Sequence, residues 1–275
     1  MSIRYLGGIL KPGFDPLTSR SGIFNLHQHY SSRTQAKWIN TDPYFSNVSL
    51  YLKGNGVNNS TTFSDNSANN LNLGLVGTPI ISTTQSKFGG SSMYFNGTSQ
   101  YLSVPSTDFS SFAFGTGDFT IEFWSYLQSA VTEYQFLINI NHANGNLDVR
   151  YGNSGFGNKL QVGVNTNTLA TTWSCALTKA GDVGAWKHIA FTRSGTTCRL
   201  FVNGTVQNIN SGSNPSTYPV SSFTSSVDVA NIISVSIGGN STHVSSEYLD
   251  DLRITKGVAR YTATFTAPTS ELEAW

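Results

Sequence analysis

From Val48 onward the chain is a succession of short runs in which apolar and polar residues alternate, each soon broken by a turn signal. VSLYLK runs into GNG, SMYF into NGTSQ, QFLINI into NHANGN, LDVRY into GNSGFGN, WKHIAFTR into SGTT and CRLFV into NGT. Strand side chains point alternately to two faces, so each run offers one apolar and one polar face. Such strands are stable only where their apolar faces meet. With no helical period between the runs, the pattern predicts an all-β fold, an antiparallel two-sheet sandwich.

Some detail is legible locally. Ser194-Gly195 and Asn203-Gly204 separate alternating runs, and Asn-Gly supplies the two positive-φ residues that a type I′ hairpin demands. Trp186 to Ile209 is therefore expected to form three consecutive strands of a meander. In DFTIEFW, Phe119, Ile121 and Phe123 share one face and Thr120, Glu122 and Trp124 the other, which suits a strand with one core face and one partly covered face. In YLDDLRI, strict alternation puts Tyr248, Asp250, Leu252 and Ile254 together on a face that should be buried. A carboxylate there needs a partner, because an unpaired buried charge is costly.

Residues 1–45 read differently. Pro12, Pro16, Pro43 and scattered Gly interrupt them, and the one continuous pattern, Ile23 to Trp38, suits a short helix or an extended arm with too little apolar material for its own core. The chain thus divides into an N-terminal extended arm, 1–45, and a sandwich domain, 46–275. Lys and Arg number 16 against 15 Asp and Glu, with no basic run, so neither nucleic acid nor an anionic membrane finds an electrostatic footprint. Only 11% of residues are charged while Ser, Thr, Asn and Gly abound, a surface suited to proteins or sugars. MSIRYLGGILKPGF lacks the apolar stretch of an export signal, and no run approaches a membrane span. Of the cysteines, Cys175 and Cys198, one bridge between adjacent strands is geometrically open; two buried thiols are the plainer alternative.

Catalysis is not expected. Retaining glycoside hydrolysis needs two carboxylates about 5–5.5 Å apart, which alternate positions of one strand can supply. Glu122 stands alone in its strand, Glu247 is followed by Tyr248 and Leu249, and Asp250 and Asp251 point to opposite faces. His27 and His29 have no third ligand nearby, and His142, His188 and His243 are isolated. Sugar binding asks only for aromatic faces with amides or carboxylates beside them. Trp173 in TLATTWSCAL and Tyr134 in SAVTEYQF, near predicted strand ends, are the candidate sugar-binding residues, the alternative being that both cover the sandwich edge. The NGNLDV and NSGFGNK turns could rim such a site.

Four segments carry a resemblance to a known family: KFGGSSMYFNGTSQYLSVP (87–105), GDFTIEFWSYL (117–127), GAWKHIAFTRSGTTCRLFVNGTV (184–206), and SIGG followed by YLDDLRITKGVARYTATFTAPT (236–239 and 248–269). In this order they resemble the concanavalin A-like or laminin-G-like jelly-roll domain of the bacteriophage virion-protein type. The resemblance implies two packed antiparallel sheets, one curved, with ligand sites on the concave face or in rim loops. GIFNLHQHYSSRTQAKW bears a weaker likeness to the opening of phage structural proteins, which makes Phe24, Leu26 and Trp38 candidate virion-anchoring residues.

The resemblance also implies roles. In some members an acid at the position of Asp250 helps hold a structural calcium ion with oxygens from a loop after the first strand, here Phe63 to Asn70 with Asp65. Ala68 replaces the usual Gly of that loop, and the alternative is an anchor in which Asp250 receives Arg260 or backbone N–H groups. Calcium is the one cofactor implied. The functional expectation is a phage virion structural protein, a decoration or tail or fibre component assembled in the host cytoplasm, whose jelly roll projects to meet host-surface polysaccharide. Its partners would be other virion proteins, and a homo-oligomer is compatible with this. A free bacterial carbohydrate-binding module is the alternative.

Overall fold

Pairing of the alternating runs produces two antiparallel sheets, as expected. The computed structural model describes residues 42–129, 133–166, 172–211 and 221–272. In chain order the strands are β1 (Val48–Leu52), β2 (Gly74–Val76), β3 (Ile80–Ser82), β4 (Ser92–Asn96), β5 (Tyr101–Ser103) and β6 (Phe119–Leu127). They continue as β7 (Gln135–His142), β8 (Gly145–Tyr151), β9 (Lys159–Thr166), β10 (Thr172–Thr178), β11 (Trp186–Ser194) and β12 (Thr197–Val202). The last are β13 (Thr205–Val206), β14 (Ile209–Ser211), β15 (Phe223–Thr224), β16 (Ile232–Ile237) and β17 (Ser246–Lys256). The first sheet runs β13-β12-β11-β6-β17-β4-β3, with β1 joining β17 and β15 joining β12. The second runs β14-β10-β9-β8-β7-β16-β5-β2.

Phe119, Ile121 and Phe123 of β6 and Phe191 of β11 share one buried cluster with Leu147 and Val149 of β8 and Val162 and Val164 of β9. Each such side chain contributes about 1.5–3 kcal/mol through its removal from water. The meander β11-β12-β13 forms as expected, with Asn203 (φ 50) and Gly204 (φ 77) closing the turn between Val202 and Thr205. The other turn is displaced by one residue. Ser194 pairs with Thr197, so the loop is Gly195-Thr196 and Ser194 belongs to the strand. Cys198, on β12 of the first sheet, is a buried free thiol. Cys175 lies on β10 of the second sheet, so the two cysteines are not on adjacent strands and no bridge forms.

β17 corrects another expectation. Its register against β6 shifts between Asp250 and Arg253, and Asp251 takes φ 51, the signature of a bulge. The bulge reverses the alternation. Leu249, Leu252 and Ile254 join the core, whereas Tyr248 and Asp250 lie on the opposite face, with Tyr248 stacked on Tyr94 at 4.7 Å. Asp250 therefore does not share a face with Leu252 and Ile254.

That opposite face of the first sheet is covered by the chain after β17. Arg260 N–H donates to Thr120 Oγ1 at 2.8 Å, Thr192 Oγ1 to the Tyr261 carbonyl at 3.0 Å, and Phe265 N–H to the Gly204 carbonyl at 2.9 Å. Tyr261 and Phe265 stack at 3.6 Å, and Phe265 lies edge-on to His188 and Phe201. This strap buries polar outer residues such as Thr120, Glu122 and His188. Glycine is required at 204, since a Cβ there would stand 2.1 Å from the Phe265 carbonyl oxygen. Tyr44–Leu272 forms one unit. The anchoring candidates Phe24, Leu26 and Trp38, and the pair His27 and His29, lie outside the described residues.

Candidate functional site

The outer face of the second sheet is polar by the same alternation that builds the core. In β8, Leu147, Val149 and Tyr151 enter the core, so Asn146, Asp148 and Arg150 face outward; in β9, Leu160, Val162 and Val164 enter it, so Gln161, Gly163 and Asn165 face outward. Register then aligns them. Asn146 pairs with Asn165, Asp148 with Gly163 and Arg150 with Gln161. On the other side of β8, Asn139 pairs with Asp148 and Asn141 with Asn146, and β16 adds Ser236 opposite Asn139 and Ser234 opposite Asn141.

Asp148 is the centre of this face. Arg150 Nη1 stands 2.9 Å from its Oδ2, and Asn146 Nδ2 donates to the same oxygen. Arg150 Nε reaches Gln161 Oε1 at 3.3 Å, Asn165 Nδ2 reaches Asn146 Oδ1 at 3.2 Å, and Asn141 Nδ2 reaches Ser234 Oγ at 2.8 Å. Asp148 Oδ1, Asn165 Oδ1 and Ser236 Oγ are buried without a hydrogen-bond partner. Burial pushes the Asp148 carboxyl up to about 6, with Arg150 and the Asn146 amide offsetting part of that rise.

An aromatic wall adjoins these groups. The Arg150 guanidinium carbon is 5.1 Å from the ring centroids of both Tyr134 and Phe136, and His243 lies 5.4 Å from Tyr134 and 5.6 Å from Phe136. Tyr134 is thus brought to the polar face. The backbone of Trp173 lies in β10 beside Val162 of β9; its side chain is outside the described residues. The N-x-D-x-R of 146–150 and Q-x-G-x-N of 161–165 are the signal for this face, a polar alternation inside two strands whose turns alone attract attention in the sequence.

The acids expected around calcium are placed differently. Asp65 Oδ1 accepts the N–H groups of Tyr51 and Ser67, both at 2.9 Å, and its Oδ2 accepts Ser67 Oγ at 2.7 Å and Leu71 N–H at 2.8 Å. Asp250 Oδ2 accepts Lys87 and Phe88 N–H at 2.7 and 3.0 Å, which is the backbone anchor rather than an ion pair with Arg260. Four donors already aim hydrogens at the Asp65 oxygens, and the two acids share no partner. This pair does not fit a calcium cage. Among the described residues, no three His, Cys, Asp or Glu side chains converge as a metal site.

The Laminin_G_3 family profile, described as the concanavalin A-like lectin/glucanases superfamily, matches residues 96–258. The chain belongs to this family. The matched stretch contains β6 to β16 and with them the whole Asp148 face. No curated protein sequence matches the chain. Among solved structures, the binding domain of Paraclostridial Mosquitocidal Protein 1 is similar with a TM-score of 0.54 at 17% identity, over 78% of this chain and 50% of that one. The binding domain of botulinum neurotoxin DC in complex with SialylT has a TM-score of 0.52 at 10% identity, over 84% and 50%. Botulinum neurotoxin type C, which depends on two ganglioside molecules to enter cells, has a TM-score of 0.53 at 11% identity, over 84% and 50%. The chain thus spans about half the length of these structures, and the likeness is one of fold.

Proposed function

We propose that this laminin-G-like domain is a glycan-binding module whose contact surface is the Asp148 face of the second sheet. The observation that carries the reading is a buried carboxylate with one unpartnered oxygen, set among amides and an arginine and flanked by Tyr134, Phe136 and His243. Sugars offer adjacent hydroxyls and apolar C–H faces. Arg150, Asn141 and Asn146, the partly exposed polar groups of the face, meet such hydroxyls, the Tyr134 and His243 rings take the ring face, and buried Asp148 holds Arg150 and the Asn146 amide in position. Placement on rigid strands keeps these groups in position before a ligand arrives. The similar toxin domains in complex with SialylT, or dependent on gangliosides, lend support by fold analogy. In its finer form the reading places the module on a phage virion, anchored through residues 1–45 and meeting host-surface polysaccharide; the segments that resemble virion proteins support that form.

Screening the full chain on a glycan array and titrating the hits tests the proposal. Asp148→Asn and Arg150→Ala are each expected to weaken binding at least about tenfold, the cost of leaving a buried hydrogen-bonding group unmatched. Absence of any glycan hit, or hits bound equally by both variants, contradicts it. A pH dependence follows from the raised Asp148 carboxyl. Ionised above about 6 and protonated below it, Asp148 loses acceptor strength as pH falls, so affinity should drop between pH 7 and pH 5. Titration of Asp148→Asn across the same range should lose the part of this fall that Asp148 carries and be shallower than that of the natural chain.

A further inference from the structure

At one end of the sandwich, polar groups sit inside the core. Leu127, the last residue of β6, pairs with Glu247 of β17 on one side and bridges Val183 on the other, with Gly184 N–H donating to its carbonyl at 3.0 Å. Glu247 and Asp182 are thereby brought to the same strand end, and both are fully buried. Glu247 Oε2 accepts Ser125 Oγ at 3.2 Å, while Glu247 Oε1, both Asp182 oxygens and the Oγ of fully buried Ser245 have no hydrogen-bond partner. Gln135 opens the next strand. It pairs with core-facing Tyr151, and its amide atoms are likewise buried without a partner.

We propose that Asp182 and Glu247, with the hydroxyls of Ser125 and Ser245, bind a hard divalent cation of the calcium or magnesium class. Buried polar atoms are nearly always paired, and four unpartnered oxygens at one strand end need a common partner. Two carboxylates together in the core repel each other, and Lys187 is the cation that faces Asp182. An oxygen-only donor set of two carboxylates and two hydroxyls matches hard-cation chemistry, with further positions open to backbone carbonyls and water. The site is separate from the Asp148 face, on the inner side of the sandwich, and differs from the Asp65 and Asp250 pair implied by resemblance.

Thermal unfolding of the full chain, stripped with EDTA and then given calcium or magnesium at pH 7.5, tests this. Calcium or magnesium is expected to raise Tm by about 5 °C, as ligands that bind only the folded state do. Asp182→Asn and Glu247→Gln keep the side-chain shapes and remove buried charge, so in EDTA both should melt no lower than the natural chain. Each should weaken cation binding by at least about tenfold and lose the Tm response. A Tm indifferent to both cations at millimolar concentration, or a response unchanged in the two variants, overturns the proposal.

Discussion

Replacing Glu122 by Ala is expected to cost roughly 3–5 kcal/mol of stability, because it removes the carboxylate from a buried, hydrogen-bonded ion pair with Arg253. Glu122 is fully buried, and Arg253 approaches its Oε1 twice, with Nε at 3.0 Å and Nη2 at 2.7 Å. Tyr261 of the strap donates to Oε2 at 2.7 Å, and His188 Nε2 stands 3.5 Å from the same oxygen. The carboxylate therefore ties three strands of the first sheet to the segment that covers them. Burial alone would raise its pKa, but Arg253, His188 and Tyr261 outweigh burial and hold it well below the usual carboxylate range. A depressed folded-state value contributes stability that is complete above the unfolded value of 4.5 and is lost as pH falls below it. Urea unfolding of the natural chain and of Glu122→Gln checks both points. The Ala variant should unfold at a much lower urea concentration, and the gap between the natural chain and the Gln variant should shrink as pH falls from 5 toward 2. A gap that stays constant over that range contradicts the assignment.

Arg193→Met is expected to be nearly as damaging, at roughly 3 kcal/mol or more, since several buried acceptors lose their donor at once. Arg193 is fully buried, and its Nε, Nη1 and Nη2 donate to the carbonyls of Gly117, Val227 and Gly115 at 2.8, 2.8 and 2.7 Å. Its guanidinium carbon lies 5.1 Å over the Phe119 ring. One planar fork therefore closes the loop before β6 onto the loop before β16, alongside the Gly115–Val229 bridge. Arg193→Lys should recover only part of the loss, because an ammonium group cannot reach three carbonyls in one plane. Denaturant midpoints at neutral pH measure this, and a Lys variant as stable as the natural chain would show that the fork geometry does not matter.

Much of the architecture is legible in the sequence because period-2 alternation speaks directly to burial. Phe119, Ile121 and Phe123 face the core, and Asn203-Gly204 closes a hairpin, as the residues dictate. The bulge at Asp251 is not legible, since an Asp tolerates positive φ without announcing it and the apolar pattern of YLDDLRI fits either register. The network around Glu122 is hidden for another reason. Its members are separated by up to 139 residues, and only strand pairing and the strap bring them together. On the candidate face, Tyr134 stands out as an aromatic at a strand end. Asp148 does not, because a single acid between Leu147 and Val149 reads as an ordinary exposed strand residue until register sets Asn146, Arg150, Gln161 and Asn165 around it.

If glycans are held by the outer face of the second sheet, as proposed, their binding should slow amide exchange there. Hydrogen–deuterium exchange of the full chain, with and without a glycan identified by the array, tests it most directly. Protection is expected to concentrate in 134–151 and 159–166, carried by β7, β8 and β9, and to be absent from the same experiment on Arg150→Ala. Protection confined to the strap at 257–272 or to the loops around β1, with β8 and β9 unchanged, would contradict it.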